Sequence, residues 1–506
     1  MKKTMLTLVL VLALILSVCA PMAGAADELD KNAALTLWLP DNAASAVMPE
    51  GTTVNDNPFI NAIREHTGYP NLTVELITDG ASQMNMLMAS GEYPSAIYVN
   101  GDRAFFLQYM TEGLWAPVDD AVAEFGPAIK ELLTPAVLAA TQGADGQHYA
   151  ISMPLHTSYN GEYFGNSMMY NTAVLSELGL AVPTNAEELY NVLAAVKAAK
   201  PDMIPLTLTG TDCGTLKSMF GMWTDYTIGE DGKIVNTKRE YMKDYVTYMN
   251  RLYTEGLLDP ESLYQTGTEK TEKVVSGKAF MIEEGVWCKS YRQSIVANGG
   301  EFTWDYLPAL ENIDGTYGNA NPFPTSNIWM FPEPTADDMN EVVDLINTFL
   351  TDSELETFVN YGEEGVHFRY DDDGVIQAIN DNGEYDSIMY KIIYRLWFKP
   401  DVWLNNAILG DFMPEIEKYT AAYDMTNYDL WGYMPTSEAS IEYSSTCNDI
   451  LSEYRDKIIV GELPVDAIDE MFEKMDANGY TEIEAACQEW YDTTGADLAV
   501  SLGLVK

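Results

Sequence analysis

The segment LTLWLPDN at residues 35–42 opens the folded part of the chain and decides its fold class. Its apolar first half predicts a short strand, and the proline and polar residues that follow end it. Apolar spacing predicts a helix over 57–67, and two further apolar runs predict strands over 72–77 and 96–99. Because strands alternate with helices, the sequence predicts βαβ units and a mostly parallel sheet.

The same alternation continues toward the carboxyl terminus. Tyr149–Ser152 is predicted as a strand, and Thr184 with Glu187 has the spacing of a helix-capping box. Further helices are predicted over 241–255, 337–350, 449–458 and 465–477. A chain of 506 residues is long enough for two α/β lobes.

The composition indicates a globular and strongly acidic protein. The chain has 28 Lys and Arg against 77 Asp and Glu, for a formal net charge of −49, and 47% of its residues are hydrophobic. Nucleic-acid phosphates need a basic surface, so nucleic-acid binding is excluded. Polyanionic ligands and anionic lipid surfaces are disfavoured by the same charge.

The amino terminus has the pattern of an export signal. Lys2 and Lys3 precede an apolar run over 5–18, and Ala23-Gly24-Ala25 is a typical cleavage site, so residues 1–26 are predicted as a signal peptide. The segment Leu16-Ser17-Val18-Cys19 also resembles a lipobox, which would make Cys19 a lipidated residue. We therefore expect an extracellular or cell-surface protein, in the second case lipid-anchored at the outer face of the cytoplasmic membrane.

The remaining cysteines leave two alternatives open. No C-x-x-C pair occurs among Cys213, Cys288, Cys447 and Cys487. Four cysteines allow three disulfide connectivities, and the sequence does not choose among them. Buried free thiols are the equal alternative, because a core of this size needs no disulfides.

The common signatures of catalysis and of cofactor binding are missing from the sequence. It contains no G-x-S-x-G, H-E-x-x-H, Walker A or G-x-G-x-x-G motif, and its four histidines are scattered. Asp371-Asp372-Asp373-Gly374 lacks the flanking acids of a calcium loop and is better explained as a hairpin turn. We therefore expect no enzyme, no cofactor and no metal site.

Aromatic residues are the strongest indication of a binding function. The chain has 10 Trp and 31 Tyr. Four tryptophans lie beside predicted strand ends: Trp38, Trp223, Trp287 and Trp329. Flat rings suit the apolar faces of sugars, although core packing is the alternative for each ring taken singly.

Seven segments, in order, resemble the bacterial extracellular solute-binding proteins of family 1, in particular the lipoprotein branch associated with oligosaccharide uptake. The seven are MLMASGEYP (86–94), DGQHYA (145–150) with Pro154, MYN (169–171) with LGLAVPT (178–184), LYTEGLLDPE (252–261), SGKAFM (276–281) with Trp287, YGEEGVHF (361–368) and VGE (460–462). They span most of the chain after the signal peptide.

The resemblance implies a two-lobed α/β fold like that of periplasmic binding proteins, with hinge crossovers and a ligand cleft between the lobes. Lobe 1 would comprise residues 27–153 plus about 326–400, and lobe 2 would comprise 154–325 plus about 401–506. The solute, an oligosaccharide, would be delivered to the permease subunits of an ABC importer. We expect a monomer, because such a receptor has no need to self-associate.

The resemblance also implies residues that bind the solute. Carried over position by position and joined with the aromatic candidates, they are Trp38, Asp41, Asn100, Asp102, Arg103, Tyr159, Trp223, Trp287 and Trp329. The chain departs from the family pattern at Ser95, where an acid is usual. Some relatives carry a calcium loop where this chain has only Ala199–Pro205, so no structural calcium is expected.

Three other functions stay open at this point. The first is a secreted carbohydrate-active enzyme, which would need a carboxyl pair in a cleft. The second is a binding protein for a cationic solute such as a polyamine, which the acidic charge would favour. The third is a surface protein whose cleft has lost its role in transport.

Overall fold

The structure of the 506-residue chain is a computed structural model. The structure describes residues 29–41, 48–77, 83, 86, 89–100, 103–143, 145–153, 158–159, 162–163, 167–284, 291, 294–295, 298–308, 310–313, 315, 327–371, 374, 376–378, 430–435 and 437–503. The predicted signal peptide, Cys19 and Cys288 lie outside these residues.

Fifteen short strands are found in this part of the chain. They are β1 Thr36–Pro40, β2 Thr73–Ile77, β3 Ala96–Asn100, β4 Ile151–Met153, β5 Ser158–Tyr159, β6 Glu162–Tyr163, β7 Ser167–Asn171, β8 Ile204–Thr207, β9 Tyr226–Ile228, β10 Ile234–Asn236, β11 Ala279–Glu284, β12 Trp304–Tyr306, β13 Asn327–Met330, β14 Phe368–Tyr370 and β15 Ile376–Ala378.

Helices fill most of the segments between the strands. They are α1 Pro58–Thr67, α2 Arg103–Thr111, α3 Asp119–Phe125, α4 Pro127–Leu132, α5 Pro135–Thr141, α6 Thr172–Glu177, α7 Ala186–Ala199, α8 Gly214–Met219, α9 Thr237–Thr254, α10 Gly267–Val275, α11 Met339–Thr351, α12 Ser353–Tyr361, α13 Glu438–Ile459, α14 Ala467–Asp476, α15 Tyr480–Trp490 and α16 Ala496–Ser501. Short 3₁₀ turns occupy Pro260–Leu263, Glu333–Asp338 and Leu430–Tyr433, and a π-helical turn occupies Tyr491–Gly495.

The strands form two main sheets, each with its own core. The first sheet has the order β2-β1-β3-β13-β4, and the second has the order β12-β7-β11-β8. One face of the first sheet packs on α1 and α11 through residues such as Leu37, Ile60 and Ile346. The second sheet packs on α7 and α9, and the carboxyl-terminal helices α13 to α15 join the same core through residues such as Met471 and Cys487.

The described residues show two places at which the chain passes from one sheet to the other. It leaves the first sheet after β4 and enters the second at β7, and it leaves the second after β12 and returns at β13. Residues 379–429 are not among the described residues. The Leu430–Tyr433 turn then packs on the second core, where the Trp431 indole N–H donates to the Tyr226 carbonyl at 2.5 Å, and it also lies against α5.

The local predictions hold better than the prediction of strand direction. Helix α1 begins after Asn57, whose side chain accepts hydrogen bonds from the Phe59 and Ile60 N–H groups. The sheets are mixed rather than mostly parallel: β13 runs antiparallel to both of its neighbours, and β7 runs antiparallel to both of its own. That prediction was wrong because the antiparallel strands come from distant parts of the sequence, which βαβ spacing does not describe.

The predicted capping box is displaced by one residue. Asn185, not Thr184, caps α7 by accepting from the Glu188 N–H at 3.0 Å. The Glu188 carboxylate reaches back to the Thr184 N–H and hydroxyl, both at 2.9 Å. The sequence TNAEE offers two possible cap residues one position apart, which explains the error.

The thiols of Cys213, Cys447 and Cys487 are buried and free, so the second alternative applies to these three. Among the helices that the structure describes, none is both long enough and apolar enough to cross a membrane.

Candidate functional site

The carboxyl edge of the first sheet gathers the ends of five strands. Strands β2, β1 and β3 run parallel and end there, and Asn327 at the start of β13 pairs with Asn100 on one side and Met153 on the other. The Asp41 N–H donates to the Ile77 carbonyl at 2.9 Å, which fixes Asp41 at this edge. Parallel strands commonly bind ligands at this edge.

The backbones of three residues that were predicted from the sequence therefore lie at the carboxyl edge of the first sheet. Asp41 follows β1, Asn100 ends β3, and Arg103 begins α2. The side chains of Asn100, Arg103 and Tyr159 lie outside the described part of the structure, as do Asp102 and Trp287 as whole residues. The backbone of Tyr159 lies in the β5–β6 hairpin, within the first passage between the sheets.

Trp38 lies in the middle of β1 rather than at its carboxyl end. Its side chain is half-buried on the sheet face opposite Leu37 and Leu39, and it lines a pocket of about 360 Å³ with Thr36, Glu75 and the Ser90–Pro94 turn. Thr36 begins β1 and the turn precedes β3, so the pocket lies toward the amino ends of these strands. Trp38 also packs against the apolar cluster that contains Phe105 and Phe106 of α2.

The remaining two tryptophans have different surroundings. Trp329 has 0% exposure inside the first core, where its ring centroid lies 5.2 Å from that of Tyr98. The prediction that Trp329 contacts a ligand directly is therefore corrected: β13 lies between β3 and β4, and its residues Ile328, Trp329 and Met330 are all buried. Trp223 is half-buried and lies on the segment between α8 and β9.

The carboxyl edge of the second sheet carries a group of charged residues that no motif in the sequence indicates. Glu284 ends β11, and its carboxylate accepts from the Lys270 ammonium at 3.1 Å and from the Tyr291 hydroxyl. Lys270 also donates to the Glu283 carbonyl at 3.0 Å. The Glu283 carboxylate accepts from the Thr215 N–H at 2.9 Å, which ties the start of α8 to the end of β11.

A second charged group lies in the segment that follows β8. The Asp212 carboxylate is 2.6 Å from the Lys217 ammonium and 3.2 Å from the Arg455 guanidinium. Arg455 is 7% exposed and donates to the Thr211 hydroxyl at 3.1 Å. Partial burial raises the pKa of Asp212, but Lys217 and Arg455 lower it by more, so the pKa lies below its usual value.

The two carboxyl edges are also the points at which the chain crosses between the sheets. Met153 leaves the first sheet at its carboxyl edge, and Ser167, paired with Glu284, enters the second sheet at its carboxyl edge. The return passage leaves after Tyr306 on the same side and enters at Asn327. Both passages thus join one carboxyl edge to the other.

The turn between α7 and β8, where a calcium loop was considered, is held by lysines. Lys197 donates to the Pro201 carbonyl at 3.0 Å, and Lys200 pairs with Glu177 at 2.8 Å. Across the described residues, no group of three or more His, Cys, Asp or Glu side chains is arranged to hold a metal ion.

Comparison with known families identifies the family of this chain. The family model described as bacterial extracellular solute-binding protein matches residues 60–362. The chain belongs to this family. A curated relative, the lipoprotein LipO of Bacillus subtilis, is 23% identical over 487 residues, which cover 89% of this chain and 92% of the relative.

Solved structures support the same fold. The S. pneumoniae ABC-transporter substrate-binding protein FusA, in complex with kestose, is 18% identical, with a TM-score of 0.67 over 92% of this chain and 99% of that one. A solute-binding protein from Bifidobacterium longum infantis, described as HMO-binding and associated with an ABC transporter, is 16% identical, with the same TM-score and the same coverages. This family member therefore has the two-lobed α/β fold of these binding proteins, and its family and neighbours are binding proteins rather than enzymes.

Proposed function

We propose that the protein is the exported receptor of an ABC importer and that it captures a carbohydrate, an oligosaccharide, between its two lobes. The observation that carries the proposal is that, at both crossings, the chain leaves one sheet and enters the other at the carboxyl edges of the two sheets. Ligand-binding residues commonly lie at such edges, so a solute placed there can contact both lobes at once. The kestose and HMO partners of the structural neighbours supply the class of solute.

Lobe closure is the proposed mechanism. A solute that touches both edges binds the closed state better than the open one, and it shifts the population toward closure. Lobe 1 would comprise 27–153 with about 326–400, and lobe 2 would comprise 154–325 with about 401–506. The closed form would deliver the solute to permease subunits, and we propose that the receptor acts as a monomer without catalysis.

The proposed binding residues come from both lobes. Asp41, Asn100, Asp102 and Arg103 would supply polar contacts from lobe 1. Trp287, three residues beyond the end of β11, would stack on a sugar ring from lobe 2, with Trp223 and Tyr159 as further candidates. Trp38 is the weakest candidate, because its pocket lies toward the amino ends of the strands.

A thermal-shift screen of the mature protein against neutral oligosaccharides, polyamines and peptides tests this proposal, with product analysis of every hit. A ligand present at 100 times its Kd adds roughly 2.7 kcal/mol of stability. A shift with an oligosaccharide that stays intact is the expected result. Cleavage of the sugar would make the protein an enzyme, and a response to polyamines alone would move it to the class that binds cationic solutes.

We predict that Trp287→Ala weakens binding of the identified oligosaccharide by about 1–3 kcal/mol, because a stacked ring supplies contact area that alanine lacks. Isothermal titration calorimetry measures the effect. Trp490→Ala is the control, since the Trp490 ring packs against Trp431, a residue that borders the second core, and its loss should affect stability but not affinity. An unchanged affinity for a folded Trp287→Ala protein would remove this residue from the site.

Export and anchoring are tested separately. The membrane tether is proposed from the segment around Cys19 and from the lipoprotein name of the LipO relative. Mass spectrometry of the mature amino terminus distinguishes the two forms: a diacylated Cys19 indicates an anchored receptor, and a start near Ala25 or Ala26 indicates a released one.

A further inference from the structure

We propose that the carboxylate of Asp212 is a ligand-binding group of the second lobe, and that it accepts hydrogen bonds from the hydroxyl groups of the sugar. The inference rests on the proposed function, because it names a residue of the same site. Neither the aromatic pattern nor the family motifs pointed to Asp212.

The first argument is the position of Asp212 in the fold. It lies in the segment that connects the carboxyl end of β8 to α8. The Gly210 N–H donates to the Ser262 carbonyl at 2.6 Å, with Gly210 at a φ of +87°. The Thr215 N–H donates to Glu283 at the end of β11 at 2.9 Å. The segment is therefore fixed at both ends across the carboxyl edge of the second sheet.

The second argument is that two cations fix the orientation of the carboxylate. Lys217 and Arg455 contact different oxygens of Asp212, and Arg455 is itself fixed by its hydrogen bond to Thr211 and by its burial. A carboxylate fixed in this way binds without a further loss of rotamer freedom. Lys217 and Arg455 are thus positioning residues for Asp212.

The Asp212 carboxylate is also accessible to a ligand. The Asp212 side chain is 51% exposed, whereas that of Glu284 at the end of β11 is 13% exposed. A carboxylate offers about four lone-pair positions, so two cationic partners leave acceptor capacity unused. Asp212 can therefore accept hydrogen bonds from a ligand without giving up the contacts that fix it.

The chemistry of this group defines the ligand. An ionised carboxylate is an acceptor only, and it matches the hydroxyl donors of a neutral sugar. Lys217 and Arg455 offset the negative charge of the carboxylate, so the group presents hydrogen-bond acceptors rather than a net anionic surface. A hydroxyl-rich oligosaccharide is the ligand class that these acceptors fit.

The test compares the Kd of Asp212→Asn and wild-type protein for the neutral oligosaccharide found in the screen, by isothermal titration calorimetry. Asparagine preserves the shape of the side chain but loses the charge and one acceptor, and we expect the Kd to rise about tenfold to a hundredfold. Glu177→Gln is the matched control, because Glu177 is also an exposed carboxylate in an ion pair: its side chain is 62% exposed and contacts Lys200. This pair lies beside the turn that precedes β8, at the opposite edge of the same sheet. The Kd of the Glu177→Gln protein should equal that of the wild type.

Asp212→Ser is the second variant, and thermal unfolding establishes that each variant is folded. If both folded Asp212 variants bind as tightly as the wild type, the inference is wrong, while the proposed function stands. If the wild type binds a polyamine and no oligosaccharide, the proposed function is wrong and the inference fails with it. A rise in Kd for the Asp212 variants that the Glu177 control does not share supports both.

Discussion

Replacing Arg239 should loosen the attachment of the carboxyl-terminal helices to the second core. Arg239 lies at the start of α9, and its guanidinium contacts acids on α14 and α15. The Nε and one terminal nitrogen donate to the two oxygens of Glu484 at 2.7 and 2.9 Å, and Asp476 accepts from both terminal nitrogens. The rings of Phe472 and Tyr480 lie 5.2 and 5.0 Å from the guanidinium carbon.

The magnitude follows from these contacts. The bidentate bond to Glu484, whose side chain is 20% exposed, should contribute about 1.5–2 kcal/mol to the free energy of unfolding. Asp476 is 37% exposed, so solvent screens its ion pair with Arg239, which should contribute only about 0.5 kcal/mol to the free energy of unfolding. The aromatic contacts add about 0.5 kcal/mol at a partly exposed site. Arg239→Met should therefore cost about 2.5–3 kcal/mol.

Urea unfolding followed by circular dichroism measures this loss. Arg251→Met is the matched control, because Arg251 lies on the same helix but is 41% exposed, with carboxylates at 3.3 and 3.6 Å. Its guanidinium also lies over the Tyr190 ring, so with about 0.5 kcal/mol each for the ion pairs and the ring its loss should be about 1 kcal/mol. Arg239→Lys should fall between the two variants, since lysine keeps the charge but loses the planar fork. Equal losses for the two methionine variants would refute the reasoning, because the Arg239 cluster would then behave as a solvated surface pair.

Two further predictions concern the stability of each lobe. Gly221 has a φ of +86°, and an added Cβ would lie 2.8 Å from the Tyr241 ring, so Gly221→Ala should cost about 2–3 kcal/mol in urea unfolding. Gly277→Ala, at a φ of +71° with open space around its Cα, should lose only the backbone part of about 1 kcal/mol, and equal losses would contradict the clash. Burial raises the pKa of Asp119, but the hydrogen bonds from His148 lower it by more, so the folded pKa lies below the pKa of an unfolded aspartate. The stability from this pair is therefore fully present above the unfolded pKa and is lost as the pH falls through the lower folded pKa. Asp119→Asn should flatten the acid limb of a plot of unfolding free energy against pH. A limb as steep as in the wild type would exclude this pair as its source.

The elements that sequence predicted well are those set by local chemistry. Asn57 followed by a proline fixes the start of α1 whatever surrounds it, since both act on neighbouring backbone groups. Strand direction, in contrast, does not depend on local chemistry. The antiparallel pairing of β13 with β3 joins residues more than two hundred positions apart, and no local pattern encodes it.

Trp329 shows the same limit for site residues. Its place beside a strand end is visible in the sequence, but its full burial depends on β13 lying between β3 and β4. For Asp212, sequence patterns gave no indication of a role, whereas for Trp329 they indicated one that its burial excludes. Its partner Arg455 also bonds Thr211, 244 positions away, so the cation that orients the carboxylate is invisible to any search for nearby motifs.

The chain connectivity explains how such distant residues can form one site. Asp41 and Asn100 belong to the first sheet, Asp212 and Glu284 follow strands of the second, and both described passages run from one carboxyl edge to the other. A solute that touches both groups links two sheets with separate cores, so its binding energy depends on how the lobes are arranged. Residues of either lobe alone would then bind weakly, and affinity would come from closure. We therefore expect Asp212→Asn to reduce affinity most for solutes long enough to reach both edges, and least for short fragments that contact one lobe.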